Sequence, residues 1–140
     1  MGQRPNIDLT VFLVNNYIYG MTGGQLAPTS PLGARTTTSP YGNLEPPFRV
    51  AELVSAAGAA YVARWTTYHV LQLVRAMKEA LQVHGFSFVE IVSACPTSYG
   101  KAVGMGDAAR FLRYFKEQSV RLARAQEMDE AELEDRIVVG

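Results

Sequence analysis

Apolar positions along the chain gather into short dense runs, separated by stretches rich in glycine, proline and polar residues. "IDLTVFLV" (7–14) is nearly continuous and full of branched side chains, which predicts a strand buried on both faces of a parallel sheet. "AAYVAR" (59–64) and "FSFVEIVSA" (86–94) predict a second and a third strand. Between them the period changes. "AELVSAA" (51–57) predicts a short helix closed by Gly58. Val70, Leu71, Val74, Met77 and Leu81 recur at helical spacing, predicting an amphipathic helix capped by Thr66 or Thr67 and stopped by Gly85. Asp107 predicts the cap of a last helix, "AARFLRYFKEQSVRLARAQ", followed by an acidic solvated end, "EMDEAELED".

The order strand, loop, helix, strand, helix, strand, helix predicts an α/β chain with right-handed crossovers and an open parallel sheet. Its 140 residues fit one domain. Three strands are few for a doubly wound domain, whose sheets more often hold about five or six, so the expected fold is a partial sheet. From Gly20 to Pro47 no hydrophobic period is present, and a loop of that length is usually functional or disordered.

Thirteen basic and thirteen acidic residues balance, and no basic stripe carries interleaved aromatics, so nothing predicts nucleic-acid binding. The basic residues of the last helix, Arg110 to Arg124, read as a solvated or subunit-facing surface. No run reaches the roughly 20 apolar residues that span a bilayer, and Met1 to Thr10 is too polar and short for a secretory leader. The expectation is a soluble, cytoplasmic protein without membrane contact. A single cysteine, Cys95, excludes an internal disulfide and fits a buried apolar role or a metal role. His69 and His84 lack acidic or thiol companions at ligand spacing and read as surface or capping residues.

Candidate chemistry sits where the first strand ends, in "VNNYIYGMTGGQLAPTSP" (14–31). Asparagine oxygens suit magnesium, which takes one or two protein side chains plus phosphate oxygens and water. "GMTGG" lets backbone amides converge on an anion, with the Thr22 hydroxyl as a further donor. The spacing fits a magnesium diphosphate site and equally an ordinary turn. Cys95 and Pro96 leave the third strand at the corresponding end, where α/β sheets bind ligands.

The stretch "NNYIYGMTGGQLAPTSP" resembles the thiamine diphosphate loop of the beta subunits of 2-oxoacid:ferredoxin oxidoreductases, nearest the 2-oxoglutarate branch. "TTTSPYGN" (36–43), "GAAYVAR" (58–64) and "GFSFVEIVSACPTSYGK" (85–101) resemble that family's later blocks, in order and at similar spacing. The resemblance implies a partial doubly wound parallel sheet of the thiamine diphosphate-binding type. Residues 1–140 would then be the C-terminal portion of that domain. The resemblance further implies that the Asn16 side chain and the Ile18 main-chain carbonyl coordinate Mg2+. Gly20, Met21, Thr22, Gly23, Gly24 and Gln25 would wrap the diphosphate, with Asn15 as a positioning residue of the cofactor site and Met21 near substrate. Tyr17 and Tyr19 fit either pocket lining or packing.

The family's Gly-Asp-Gly element, which carries the magnesium aspartate, has no counterpart ahead of the asparagines, and "GMGD" (104–107) stands on their wrong side. Cys95, in the family's CPT motif, would be one of four ligands of a 4Fe-4S cluster whose other cysteines this sequence lacks. "YGKAVG" departs from the family's Tyr-Gly-Arg, and Lys101 lacks the guanidinium fork for a planar phosphate contact. The implied partners are an alpha subunit, an N-terminal beta-subunit piece and ferredoxin, with a 2-oxo acid and coenzyme A as substrates. The chain would be inactive alone. Two other readings stay open: a non-catalytic remnant or interaction module, and a component of a non-oxidative thiamine diphosphate decarboxylase or synthase.

Overall fold

A computed structural model describes residues 7–133 and 136–140. The polar opening stretch through Asn6, and Glu134 and Asp135 of the acidic segment, lie outside the described residues. Three parallel strands form the main sheet: β1 (Leu9–Asn15), β4 (Tyr61–Thr66) and β5 (Phe86–Val92), in the spatial order β1-β5-β4. The long loop carries a short antiparallel ribbon of β2 (Ile18–Tyr19) and β3 (Gln25–Leu26). The expected α/β parallel-sheet class is what the chain adopts. Strand β5 is central, and its Ser87 to Glu90 stretch is buried, as a parallel strand covered on both faces should be. At the edge, β1 is not covered in that way: Leu9 and Val14 are exposed.

Helix α1 (Val50–Ala56) packs against β4 and β5, and Gly58 follows it with φ of 88°. That left-handed backbone is one only glycine adopts at little cost, as expected of a residue ending a helix. Helix α2 (Val70–Ala80) makes the β4–β5 crossover, but its inner face differs from the expected one. Ala76 and Ala80 are buried, with Leu73 and Met77 packed on the core, while Val70, Leu71, Val74 and Leu81 are exposed. The expected threonine cap is also replaced. His69 occupies the N-cap without a side-chain cap bond, and Thr66 Oγ1 instead lies 2.9 Å from His69 Nδ1.

Beyond β5 a single π-type turn (Pro96–Gly100) leads to α3 (Ala108–Gln118), whose first amides are capped by Asp107, accepting from Ala109 N–H at 3.0 Å. The helix stops eight residues earlier than its sequence pattern suggested. Ser119 turns extended and opens β6 (Ser119–Arg121), followed by one-turn helices α4 (Leu122–Ala125) and α5 (Glu130–Leu133). Then β7 (Ile137–Val139) pairs in parallel with β6. Reciprocal backbone hydrogen bonds between Arg64 and Gly140, 2.9 and 3.0 Å, join β7 to the outer side of β4. Arg121 lies over the Trp65 ring at 4.5 Å, closing this side of the core. The hydrophobic core runs from Trp65, Val89 and Val92 through the Tyr17–Tyr99–Phe111–Phe115 chain of rings to Ile137 and Val139. Among the described residues no helix is long and apolar enough to cross a membrane.

Candidate functional site

Strands β1 and β5 run parallel in register, with Asn15 opposite Val92, so the loops that leave them start from the same edge of the sheet. A further backbone bond from Ser93 N–H to the Asn15 carbonyl, 2.9 Å, carries that register past the strand ends. Two residues, Asn16 and Tyr17, then separate β1 from β2. Tyr17 has φ of 66°, a conformation that bulky side chains avoid, and several contacts hold it there. Its N–H donates to Asn15 Oδ1 at 3.1 Å, its carbonyl accepts from the Ser30 hydroxyl, and its ring packs against Tyr99.

Asn15 is buried, and its amide oxygen has both lone pairs engaged inside the protein. Nδ2 donates to Glu90 Oε1 at 2.7 Å, while Oδ1 accepts from Tyr17 N–H and from the Thr29 hydroxyl at 2.7 Å. Asn16 is half-buried, and among the described residues its Oδ1 has one long contact, with Ile18 N–H at 3.4 Å. The Ile18 carbonyl accepts Gly20 N–H at 3.1 Å, and a carbonyl oxygen has a second lone pair. These two oxygens retain capacity for a cation that Asn15 lacks.

Gly20 to Gln25 form the tight turn joining β2 to β3. Gly23 and Gly24 have φ of 104° and 85°, and their amides donate to the carbonyls of Gly20 and Tyr19. Among the described residues the N–H groups of Met21 and Thr22, at the tip, meet no protein acceptor. Met21 is fully exposed there. The Thr22 hydroxyl contacts the Tyr19 carbonyl and Gln25 Oε1, at 3.3 and 3.1 Å. A glycine turn whose tip amides meet no protein acceptor among the described residues, following closely in sequence on two hard oxygens, offers groups that a magnesium-bound diphosphate can use.

The turn after β5 lies against this one. A Cβ on Gly20 would stand 3.5 Å from Cys95 Sγ and 3.7 Å from Asn16 Nδ2, and one on Gly24 would stand 3.4 Å from Ser98 Cβ. Cys95 is thus beside the asparagine loop, although about eighty residues separate them in sequence. Burial pushes its thiol up, but the Tyr99 and Ser98 N–H groups, with the Thr97 and Ser98 hydroxyls, outweigh it and leave the thiol below its usual value. An easily formed thiolate is what a metal ligand needs. A cleft of about 480 Å³ opens beside the asparagines, lined by Leu13, Val14, Ile18, Tyr19 and Phe48, with Asn15, Asn16 and Thr29 as polar groups.

The rest of the long loop is ordered by buried polar groups. Ser30, Thr36 and Asn43 are all buried, and Asn43 Nδ2 donates to the carbonyls of Ser30, Pro31 and Glu45 at 3.0, 3.3 and 2.8 Å. The loop is tied to the glycine turn by Thr37 N–H donating to the Gly24 carbonyl at 2.9 Å. His69 and His84 lie away from these turns, and exposed His84 pairs with Asp8 at 3.3 Å. Among the described residues, no cluster of three or more His, Cys, Asp or Glu could hold a metal ion. Sequence reading missed Glu90. Its signal was a carboxylate in the middle of an otherwise apolar strand.

Residues 3–91 match the family model described as thiamine pyrophosphate enzyme, C-terminal TPP binding domain. The chain is 52% identical over 139 residues to the 2-oxoglutarate synthase subunit KorB of Methanothermobacter marburgensis, covering 99% of this chain and 49% of that protein. It is 62% identical over 94 residues to KorB of Archaeoglobus fulgidus, covering 67% of this chain and 35% of that protein. Among solved structures, a 2-oxoglutarate:ferredoxin oxidoreductase from Magnetococcus marinus, with 2-oxoglutarate, coenzyme A and succinyl-CoA bound, superposes with a TM-score of 0.73 at 27% identity. That match covers 96% of this chain and 46% of the other. The chain therefore spans about half the length of the relatives it matches. It belongs to the thiamine pyrophosphate enzyme family, in the part that forms the C-terminal cofactor-binding domain.

Proposed function

We propose that the chain is the C-terminal portion of a beta subunit of a 2-oxoglutarate:ferredoxin oxidoreductase, where it holds the magnesium-diphosphate end of thiamine diphosphate. The observation that carries the reading is the meeting of the asparagine–glycine turn and the Cys95 turn at one edge of the sheet, so close that a Cβ added at Gly20 would stand 3.5 Å from Cys95 Sγ. The matches to 2-oxoglutarate synthase subunits support it.

Asn16 Oδ1 and the Ile18 carbonyl would offer Mg2+ two neutral oxygens, and the diphosphate and a carboxylate from elsewhere in the subunit would complete the shell. The Met21 and Thr22 amides, at the tip of the turn that runs from Gly20 to Gln25, would donate to phosphate oxygens. The bound cofactor would supply the carbanion chemistry that decarboxylates the 2-oxo acid, and the two electrons released by oxidation of that substrate would pass on to ferredoxin. Cys95 would furnish one thiolate of a 4Fe-4S cluster, with the other ligands drawn from outside this chain. An alpha subunit, an N-terminal beta-subunit piece, ferredoxin and coenzyme A are the partners this role requires, in the cytoplasm.

The test is thiamine diphosphate binding by the assembled enzyme containing this chain, titrated with Mg2+. Asn16→Ala should raise the Mg2+ concentration for half-saturation by about tenfold or more, the range set by loss of one ligand. The assembly should also reduce ferredoxin in the presence of 2-oxoglutarate and coenzyme A. Unchanged magnesium dependence in the variant refutes the site, and failure to release carbon dioxide from any 2-oxo acid refutes the activity.

A further inference from the structure

Glu90 breaks the pattern of the strand that carries it. It lies on the central strand at 2% exposure, between Val89 and Ile91, where an unpaired carboxylate is strongly unfavourable. Both of its oxygens are engaged. Oε2 lies 3.1 Å from Nε of Arg64, its register partner on β4, and Oε1 accepts from Asn15 Nδ2 on β1 at 2.7 Å. The Arg64 Nε–H is not aligned on the carboxylate, so that contact is a charge pair and the directional bond is the one to Asn15. One carboxylate thus links all three strands of the main sheet near their carboxyl ends.

Holding strands together does not require a charge. Well-packed apolar side chains of similar volume do so as well or better than a buried ion pair. What a carboxylate acceptor adds is direction: it fixes which end of the Asn15 amide faces inward. With Nδ2 committed to Glu90, Oδ1 must face the loop, where it accepts from Thr29 and from Tyr17 N–H. The Tyr17 bond holds the left-handed residue between Asn16 and Ile18, the two proposed suppliers of magnesium oxygens. If the amide flipped, Nδ2 would face the Tyr17 N–H, donor against donor, and the turn would lose that bond even though the Thr29 hydroxyl could turn to accept.

We infer that Glu90, charge-paired with Arg64, is a positioning residue for the magnesium-diphosphate site, acting through the Asn15 amide on the turn that aims Asn16 and the Ile18 carbonyl. The inference rests on the proposed function above and goes beyond it by assigning the support beneath the site. Outer-shell partners of this kind typically change metal affinity by about 10- to 100-fold when removed.

The test uses the assembled enzyme and measures two quantities for each variant: the Mg2+ concentration that half-saturates thiamine diphosphate binding, and the midpoint of thermal unfolding. Glu90→Gln should raise the magnesium half-saturation by about 10- to 100-fold. Thr29→Ala, which removes one donor to Asn15 from a loop position, should raise it by a smaller factor. Ser87→Ala, a fully buried change on the same strand, should leave it unchanged, so a shift in stability alone does not mimic the effect. The Glu90→Gln, Asn15→Ala double variant should be no weaker in magnesium than Asn15→Ala, because the first residue acts through the second. Additive losses overturn the inference. So does a folded Glu90→Gln protein with wild-type magnesium dependence while Asn16→Ala loses it, an outcome that leaves the proposed site standing. If Glu90→Gln does not fold, Thr29→Ala decides, and an unchanged half-saturation there overturns the inference. If Asn16→Ala is itself without effect, the proposed site fails and the inference fails with it.

Discussion

Gly100 is the position where one added methyl group should be felt most sharply. Its φ is ordinary, so no backbone strain is involved, but a Cβ there would stand 2.4 Å from the Met105 carbonyl oxygen and 2.7 Å from Phe111 Cε2. Carbon and oxygen approach to about 3.3 Å even in favourable C–H···O contacts, so something must move by roughly 0.9 Å. Phe111 is fully buried within the stack of rings, and Met105 N–H is bonded to the Gly100 carbonyl at 2.6 Å. The turn from Pro96 to Gly100 is the part most able to shift, and it carries Cys95 and Ser98 away from Gly20 and Gly24. Overpacking costs about 1–3 kcal/mol and a weakened hydrogen bond about 1 kcal/mol, so Gly100→Ala should destabilise by roughly 2–4 kcal/mol. For a chain of this size that lowers the unfolding midpoint by roughly 5–15 °C. Thermal unfolding checks the stability, and the rate of Cys95 alkylation checks the movement, since the thiol is half-buried beside Gly20. A variant within about 0.5 kcal/mol of the parent, the scatter of an ordinary surface substitution, with an unchanged alkylation rate would refute the reasoning.

Two further outcomes follow from the edges of the sheet. Asp8 accepts Gly85 N–H at 2.6 Å, and that bond, followed by His84, holds its carboxyl below the usual value. A lowered folded-state pKa gives stability that is present above the unfolded value of about 3.9 and is lost as pH falls through the folded one. Asp8→Asn should therefore flatten the acid side of the stability–pH curve below about pH 4, read by denaturant unfolding, and an unchanged slope there contradicts the assignment. Among the described residues β1 pairs only with β5, leaving its outer side and the exposed Leu9 and Val14 available. The isolated chain should therefore self-associate on size-exclusion chromatography, and Val14→Lys should reduce this. A monomer at all concentrations would count against an open edge.

The three main strands were legible because each is a short apolar run bounded by glycine or polar residues, and a sheet buried on both faces needs such runs. The inner face of α2 was not. Two stripes share that helix. Val70, Leu71 and Val74 are the bulkier set, but Leu73, Ala76, Met77 and Ala80 form an equally regular i, i+3, i+4, i+7 series, and this one faces the sheet. Alanine is too small to weigh in a hydrophobicity count, yet it allows close approach of helix to sheet. The early end of α3 was hidden for a different reason. Ser119 to Arg121 are extended because Ile137 to Val139 pair with them, a partner sixteen or more residues away that no local pattern announces. At the candidate site, the asparagines and glycines could be picked out by residue type. The proposed division of labour between Asn15 and Asn16 came from the family resemblance and not from residue type, since its physical basis lies in Glu90, seventy-five residues from Asn15.

That division also changes what Cys95 means. A lone cysteine carries little information, and its thiol could as well be buried packing. In a parallel pair in register, however, both strands deliver their following loops to the same edge, so Cys95 and the Asn16–Gly24 turn must approach one another once Asn15 lies opposite Val92. The close approach at Gly20, where an added Cβ would stand 3.5 Å from Cys95 Sγ, follows from that register, and Glu90 contacts Asn15 and Arg64 just inside it. A slip of β1 by one residue would turn Asn15 to the opposite face and break its bond to Glu90. The bond from Asn15 to the buried carboxylate is thus one of the contacts that a one-residue slip would lose, together with the approach of the asparagine turn to the cysteine turn.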